Sequence, residues 1–358
     1  MSVPTSRPVL LRPDNFTPPS RTPWGGRRLV ETYKKDVLRE DRARALEVVG
    51  ECWEISVEPD FPSTTDEGRP LDALIRTSPV EYLGRAHAER AASTELLVKL
   101  VDAAQDLSVQ IHPDDRYPGL AASESGKPEC WYIVDRSPSC GLYLGLADGV
   151  DKGRMRRALE SGADVSAMMV FVPVEPGDFF VIEPGTPHAI GRGVTLVEPQ
   201  RVMPGKRGVT YRYWDWNRRY DAQGNVSADG APRALHVDHA LAVTDWNLPR
   251  GPSIVSRIRH RAGAPKLDGT ARLDRLCGRD GPVKSRDFEV ARITGTGKLV
   301  LEPAGKLRGL TVVSGTARLY YDDGVLVVRG GRSAVLPASI GRLELELERC
   351  HAVLSAIA

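Results

Sequence analysis

The chain has 358 residues, long for one core and enough for two domains that each bury a sizeable interior. Its 49 Lys and Arg against 47 Asp and Glu leave a formal charge of +2, which indicates neither a nucleic-acid footprint nor a basic membrane patch. No apolar run approaches the ~18 residues of a membrane span, and the N-terminal MSVPTSRPVLLRPDN, with Arg7, Arg12 and Asp14 around a short apolar patch, is a poor secretory signal; a cytoplasmic protein is expected.

Gly (34) and Pro (27) are spread throughout and punctuate short segments rich in Val, Leu, Ile and Tyr, the pattern of many strands and turns. Helical spacing occurs over Ser93 to Gln105, where Leu96, Leu97, Leu100 and Val101 recur, and a short basic helix is expected in KGRMRRALESG, 152 to 162. LSVQIHPDD, 107 to 115, reads as a strand with Ser108, Gln110 and His112 on one face and Leu107, Val109 and Ile111 on the other. The polar face needs partners, because such groups are costly to bury alone.

Further along, Glu129 lies in GKPECWYIV, His188 in PGTPHAI at the end of a strand, and Glu198 at the end of the strand GVTLVE. Arg192, Arg201 and Lys206 read as a basic turn exposed to water. After the turn-rich NVSADGAPR of 225 to 233, TARLYY and VLVVR flank the turn DDG, and alternating runs continue to the end of the chain, as in sandwiches and barrels. The expected fold class is mainly β, with a metal-binding domain over 1–234 and an all-β domain over 235–358. Residues 174 to 190 and 327 to 343 echo one another, but the second copy has no histidine where the first has His188. Cysteines 52, 130, 140, 277 and 350 form no CxxC pair and read as reduced, mostly structural thiols.

Gln110, His112, Glu129 and His188 are the best candidate metal ligands. Converging from a β-barrel interior, they would make a mixed nitrogen and oxygen site with room for water, suited to Zn²⁺ or another first-row divalent ion. Taken singly, each histidine is better accounted for by a hydrogen-bonded structural role, and Glu129 by a surface or paired acid.

Six ordered blocks add a resemblance: PWGGRRL (23–29), GECWEIS (50–56), LSVQIHPDD (107–115), GKPECWYI (126–133), PGDFFVIEPGTPHAI (176–190) and TYRYWDWNR (210–218). Together they resemble type I phosphomannose isomerase, the zinc-dependent mannose-6-phosphate isomerase family. The resemblance implies two cupin-type jelly rolls, the second without metal, and one Zn²⁺ on Gln110, His112, Glu129 and His188. It places the essential arginine on Arg212, and Ser108 and Lys127 in a pocket that holds a small-molecule sugar phosphate. It also implies aldose-ketose isomerisation of mannose 6-phosphate and fructose 6-phosphate through a cis-enediolate. Glu198 is nominated as the base, with an acid paired to a nearby arginine, or a water at the metal, as alternatives. The segment EPQRVMPGKRGVTY departs from the family in length and lacks its Ser-Asp pair, and the helical insertion of long members is reduced, as in the short bacterial branch. The competing readings are a non-catalytic sugar-phosphate-binding cupin and a metal cupin acting on another substrate. A monomer or weak homodimer, with no nucleic-acid or membrane partner, is expected.

Overall fold

The structure, a computed structural model, describes residues 7–221 and 223–358; the first six residues of the stretch read as a poor secretory signal lie outside them. The fold is mainly β, with short helices at the edges. No helix among the described residues is long and apolar enough to cross a membrane.

Two sheets build the first part of the molecule. One has six strands in the order Arg259–Arg261, Asp178–Ile182, Glu129–Arg136, Val194–Arg201, Leu96–Asp102 and Glu51–Ile55. The other has five: Tyr211–Trp214, Val109–Ile111, His188–Ile190, Gly141–Leu146 and Met169–Pro173. Alternation along the strands divides the six-stranded sheet into two apolar faces. Val101, Trp131, Ile133, Phe180 and Leu196 meet Leu142, Leu144 and Ile190 of the five-stranded sheet in one core. Leu100, Cys130, Tyr132, Phe179, Val181 and Val197 form the other face and pack on Leu276, Phe288, Val290, Val335 and Val353 of the C-terminal sheet. Each such side chain contributes roughly 1.5–3 kcal/mol when fully buried, so both faces hold the sheet in place.

That double burial corrects the helical reading of Ser93 to Gln105. Leu96–Asp102 is a strand, buried at every position, pairing with Val194–Arg201 on one side and Glu51–Ile55 on the other. A run such as LLVKLVD carries no alternation when both faces are covered, and its clustered leucines imitate helical spacing. The helix Lys152–Glu160 lies where its spacing predicts, capped by the Asp151 side chain, which accepts from the Arg154 amide.

The C-terminal sheet contains the strands Arg272–Gly278, Phe288–Leu301, Arg308–Tyr321, Gly324–Arg329, Arg332–Leu336 and Leu343–Ile357, joined by Val9–Leu10 from the start of the chain. The DDG signal lies at the hairpin of Arg308–Tyr321 with Gly324–Arg329. Within the two echoing stretches lie the strands Asp178–Ile182 and Arg332–Leu336, one residue out of step in the alignment that puts Gly341 at the position of His188. All five cysteines are free and buried. Arg201 is not part of an exposed turn: its half-buried guanidinium lies 2.6 Å from Asp115 and 2.7 Å from Asp287, an acid of the C-terminal part.

Candidate metal centre and adjoining cleft

Gln110, His188 and Arg212 come together through strand register. In the five-stranded sheet His188 pairs with Gln110, and Gln110 pairs with Arg212 on its other side, so three functional side chains stand in a row. The strand is shorter than its sequence suggests, Val109–Ile111, with Ser108 and His112 just beyond its ends. His188 opens the short strand His188–Ile190 rather than closing the one before it. From the facing sheet, Glu129 projects beside Gln200, its partner across the strands.

His112, Glu129 and His188 are almost completely buried. His112 Nε2 lies 3.1 Å from Glu129 Oε2, and His188 Nε2 lies 3.3 Å from Glu129 Oε1. Gln110 Nε2 is 3.4 Å from His188 Nε2. Ligands about 2.1 Å from a tetrahedral ion are separated by roughly 3.4 Å, the spacing these donor atoms already have. His112 Nδ1 is 3.0 Å from the Val209 carbonyl and His188 Nδ1 is 2.8 Å from the Thr186 carbonyl, contacts that place the proton on Nδ1 and aim the Nε2 lone pair inward. His112 Nε2 and Glu129 Oε1, both buried, have no hydrogen-bond partner, a costly arrangement that a cation removes. The residues fit a divalent metal.

The electrostatics agree. Burial, followed by the Lys127 charge, pushes His112 down to about 3. Burial also lowers His188. Burial alone would raise Glu129, but His112, Lys127 and His188 outweigh it and hold the carboxyl below its usual range. Two neutral imidazoles and one carboxylate are the protonation states a metal requires. Gln200 Nε2 donates to Glu129 Oε2 at 2.7 Å and fixes its orientation.

A cleft opens beside this cluster, lined in part by Gln110, Lys127, Glu198, Gln200 and Arg212. Glu198 lies within the strand Val194–Arg201, not at its end. Its Oε1 accepts from Trp131 Nε1 at 2.9 Å, and its Oε2 is 3.5 Å from Lys99 Nζ. Burial, reinforced by the Glu129 charge, raises Glu198 to about 7. Lys127 Nζ is 3.8 Å from Glu129 Oε2, and burial together with the Lys99 ammonium pushes its pKa down. Ser108 is buried and donates to Gln110 Oε1 at 3.2 Å, holding the carboxamide. Burial, then the Arg233 charge, lowers Arg212 to about 10.

The geometry also adds residues that the sequence reading passed over. Lys99 faces the cleft from the middle of an apolar strand, paired with Glu51 at 3.4 Å and Glu198 at 3.5 Å. Arg233, at the end of the turn-rich stretch 225 to 233, and Arg21, lying over Trp53 at 4.6 Å, line the same cleft. The WGG and GEC blocks touch behind it: a Cβ on Gly25 would sit 2.2 Å from the Gly50 amide nitrogen.

Comparison with known proteins follows the same lines. Residues 20–130 match the phosphomannose isomerase type I catalytic domain. The chain resembles the mannose-6-phosphate isomerase of Bacillus subtilis in its solved structure, with TM-score 0.75, 26% identity, and coverage of 99% of this chain and 100% of that one. Along these matches the chain is similar to type I phosphomannose isomerases. A mannose-6-phosphate isomerase of Streptococcus mutans is 32% identical over 231 residues, which span 63% of this chain and 65% of that protein's length. A Salmonella typhimurium mannose 6-phosphate isomerase solved with bound substrate and a zinc atom shares the fold at TM-score 0.66 and 16% identity, covering 99% of both chains.

Proposed function

We propose that this protein is a metal-dependent isomerase interconverting mannose 6-phosphate and fructose 6-phosphate, with Zn²⁺ held by Gln110, His112, Glu129 and His188. The observation that carries this reading is the buried cluster of His112, Glu129 and His188 with its nitrogen and oxygen atoms at ligand spacing, beside a cleft lined by Gln110, Glu198 and Arg212. The relatives' activity and the zinc and substrate bound by the Salmonella protein support it.

The reaction moves a proton between C2 and C1 of the sugar through a cis-enediolate. A group half protonated at neutral pH can both take that proton and return it, which assigns the transfer to Glu198. Trp131 Nε1 and the Lys99 ammonium fix the carboxyl on either side, so its oxygens do not wander as its charge changes. Arg212, one strand from Gln110, donates toward the enediolate oxygens; loss of such a preorganised donor costs about 10²–10³ in rate. Lys127 stands at the deep end beside Glu129, where its lowered pKa suits exchange of a hydroxyl proton. The substrate's phosphate is assigned to the outer end of the cleft, against the exposed Arg21 and against Arg233, whose Nη1 is a buried donor without a hydrogen-bond partner. A divalent metal at the four-residue cluster would polarise the sugar oxygens and supply several kcal/mol of charge stabilisation.

The first part is assigned to a cupin-type jelly roll, and the C-terminal part to a second one without metal. A monomer or weak homodimer is assigned. The five buried thiols fit the reducing cytoplasm. Two variants test the assigned roles. His188→Ala should lose metal and turnover together, read by metal analysis and by fructose 6-phosphate formation, whereas Arg212→Ala should keep the metal and lose about 10²–10³ in rate. An Arg212→Ala protein with undiminished turnover would remove the arginine from the mechanism.

A further inference from the structure

The C-terminal sheet has a recess of its own, far along the chain from every residue of the metal cluster. Its floor follows from register. Arg275 pairs with Ala291, Ala291 with Leu354, and Leu354 with Leu310, so these four side chains share one face, the face that carries the C-terminal core. Two residues along, Glu289 pairs with Ala356, and Arg308 stands two positions before Leu310 on the same face. Small side chains, Ala291 and Ala356, therefore lie between arginines, and the result is a cavity of about 420 Å³.

The charge in this recess is not balanced. Arg308 is only 8% exposed. Its Nη1 donates to the Glu302 carbonyl at 3.1 Å, while Nε and Nη2, one full edge of the guanidinium, are buried with no partner. Burial alone lowers its pKa. Arg275 and Arg279 line the same cavity, and neither forms an ion pair among the described residues. Of the two acids present, Glu289 is engaged by Lys306 at 3.0 Å, which leaves Asp280 to face three arginines. A buried cation without a counter-charge costs several kcal/mol, and a free guanidinium edge presents two parallel N–H groups at the spacing of two oxygens on one anion.

We propose that this recess binds the phosphate group of a small phosphorylated molecule, with Arg308 as the buried anchor and Arg275 and Arg279 at its rim. Three positive charges favour a phosphate dianion over a single carboxylate, and the alanine floor leaves space for the organic part of the ligand. The site is independent of the isomerase reading, because no residue of the cleft takes part in it.

Inorganic phosphate titrated calorimetrically into the full-length, zinc-loaded chain tests the proposal. A variant combining Arg275→Ala with Arg279→Ala should weaken one binding component about tenfold or more, and Arg233→Ala, in the catalytic cleft, should leave that component in place. Turnover of mannose 6-phosphate by the double variant in phosphate-free buffer should be unchanged. Arg308→Ala should raise the melting temperature without phosphate, by removing an uncompensated buried cation, and abolish the stabilisation phosphate gives at this site. Identical isotherms for wild type and the double variant would overturn the site, as would an isotherm that Arg233→Ala removes entirely. Acetate displacing phosphate from this component at equal concentration would overturn the assignment to phosphate.

Discussion

Gln200→Leu isolates one contact of the metal centre. The substitution keeps approximate volume but removes the Nε2 donor that holds Glu129 Oε2 at 2.7 Å, inside a pocket where Gln200 is fully buried. A hydrogen bond to a charged acceptor is worth about 1.5–3 kcal/mol, and the loss of a partner that orients a metal ligand typically lowers metal affinity about 10- to 100-fold. These ranges overlap, since 10- to 100-fold corresponds to about 1.4–2.7 kcal/mol. Gln200 Oε1 has no hydrogen-bond partner, so no second contact confuses the loss. Zinc affinity measured by competition with a chromophoric chelator, with circular dichroism to verify folding, should fall within that window. Unchanged zinc affinity in a folded Gln200→Leu protein would refute the reasoning that this hydrogen bond prepares Glu129 for the metal.

Because Glu198 is raised to about 7, its conjugate base grows in as pH rises, and kcat/KM should climb with an acidic limb centred near pH 7. Glu198→Gln should lose about 10²–10⁴ in rate together with that limb; a variant that keeps the wild-type pH profile would assign the limb to another group. Stability carries a separate pH signature. His351 joins the two parts of the molecule, its Nε2 lying 2.9 Å from the Tyr132 hydroxyl, and burial, then the Arg292 charge, pushes it down to about 4. The folded state thus holds the imidazole neutral while the unfolded chain protonates it below its ordinary value, so stability is intact above pH 6.5 and falls as pH drops toward 4, by roughly 3 kcal/mol in all. Urea unfolding across that range should show the loss, and His351→Gln, which keeps a polar partner for Tyr132, should flatten it.

Much of the site was legible because its chemistry is local. The polar residues of LSVQIHPDD had to face something other than a plain apolar core, and His188 with Glu129 supplied donors of matching type. The structure brings them within ligand-to-ligand distance. The convergence itself depends on strand order: His188 reaches Gln110 only because their strands pair, and Glu129 reaches His112 and His188 from the opposite sheet. Lys99 was hidden for the reason that hid its strand, since a lysine inside LLVKLVD marks no face until Glu51 and Glu198 are placed around it. Arg233 was hidden by its setting, a turn-rich segment whose composition conceals one guanidinium that lines a cleft. Arg201 erred in the opposite direction, because its acidic partners Asp115 and Asp287 lie far away in sequence.

The most direct measurement is to incubate the purified chain with mannose 6-phosphate and follow fructose 6-phosphate by NMR, as prepared, after chelation, and after zinc is restored. Conversion that stops with the chelator and returns with zinc is the predicted result. A folded, zinc-loaded protein that binds mannose 6-phosphate and converts none of it would contradict the isomerase assignment.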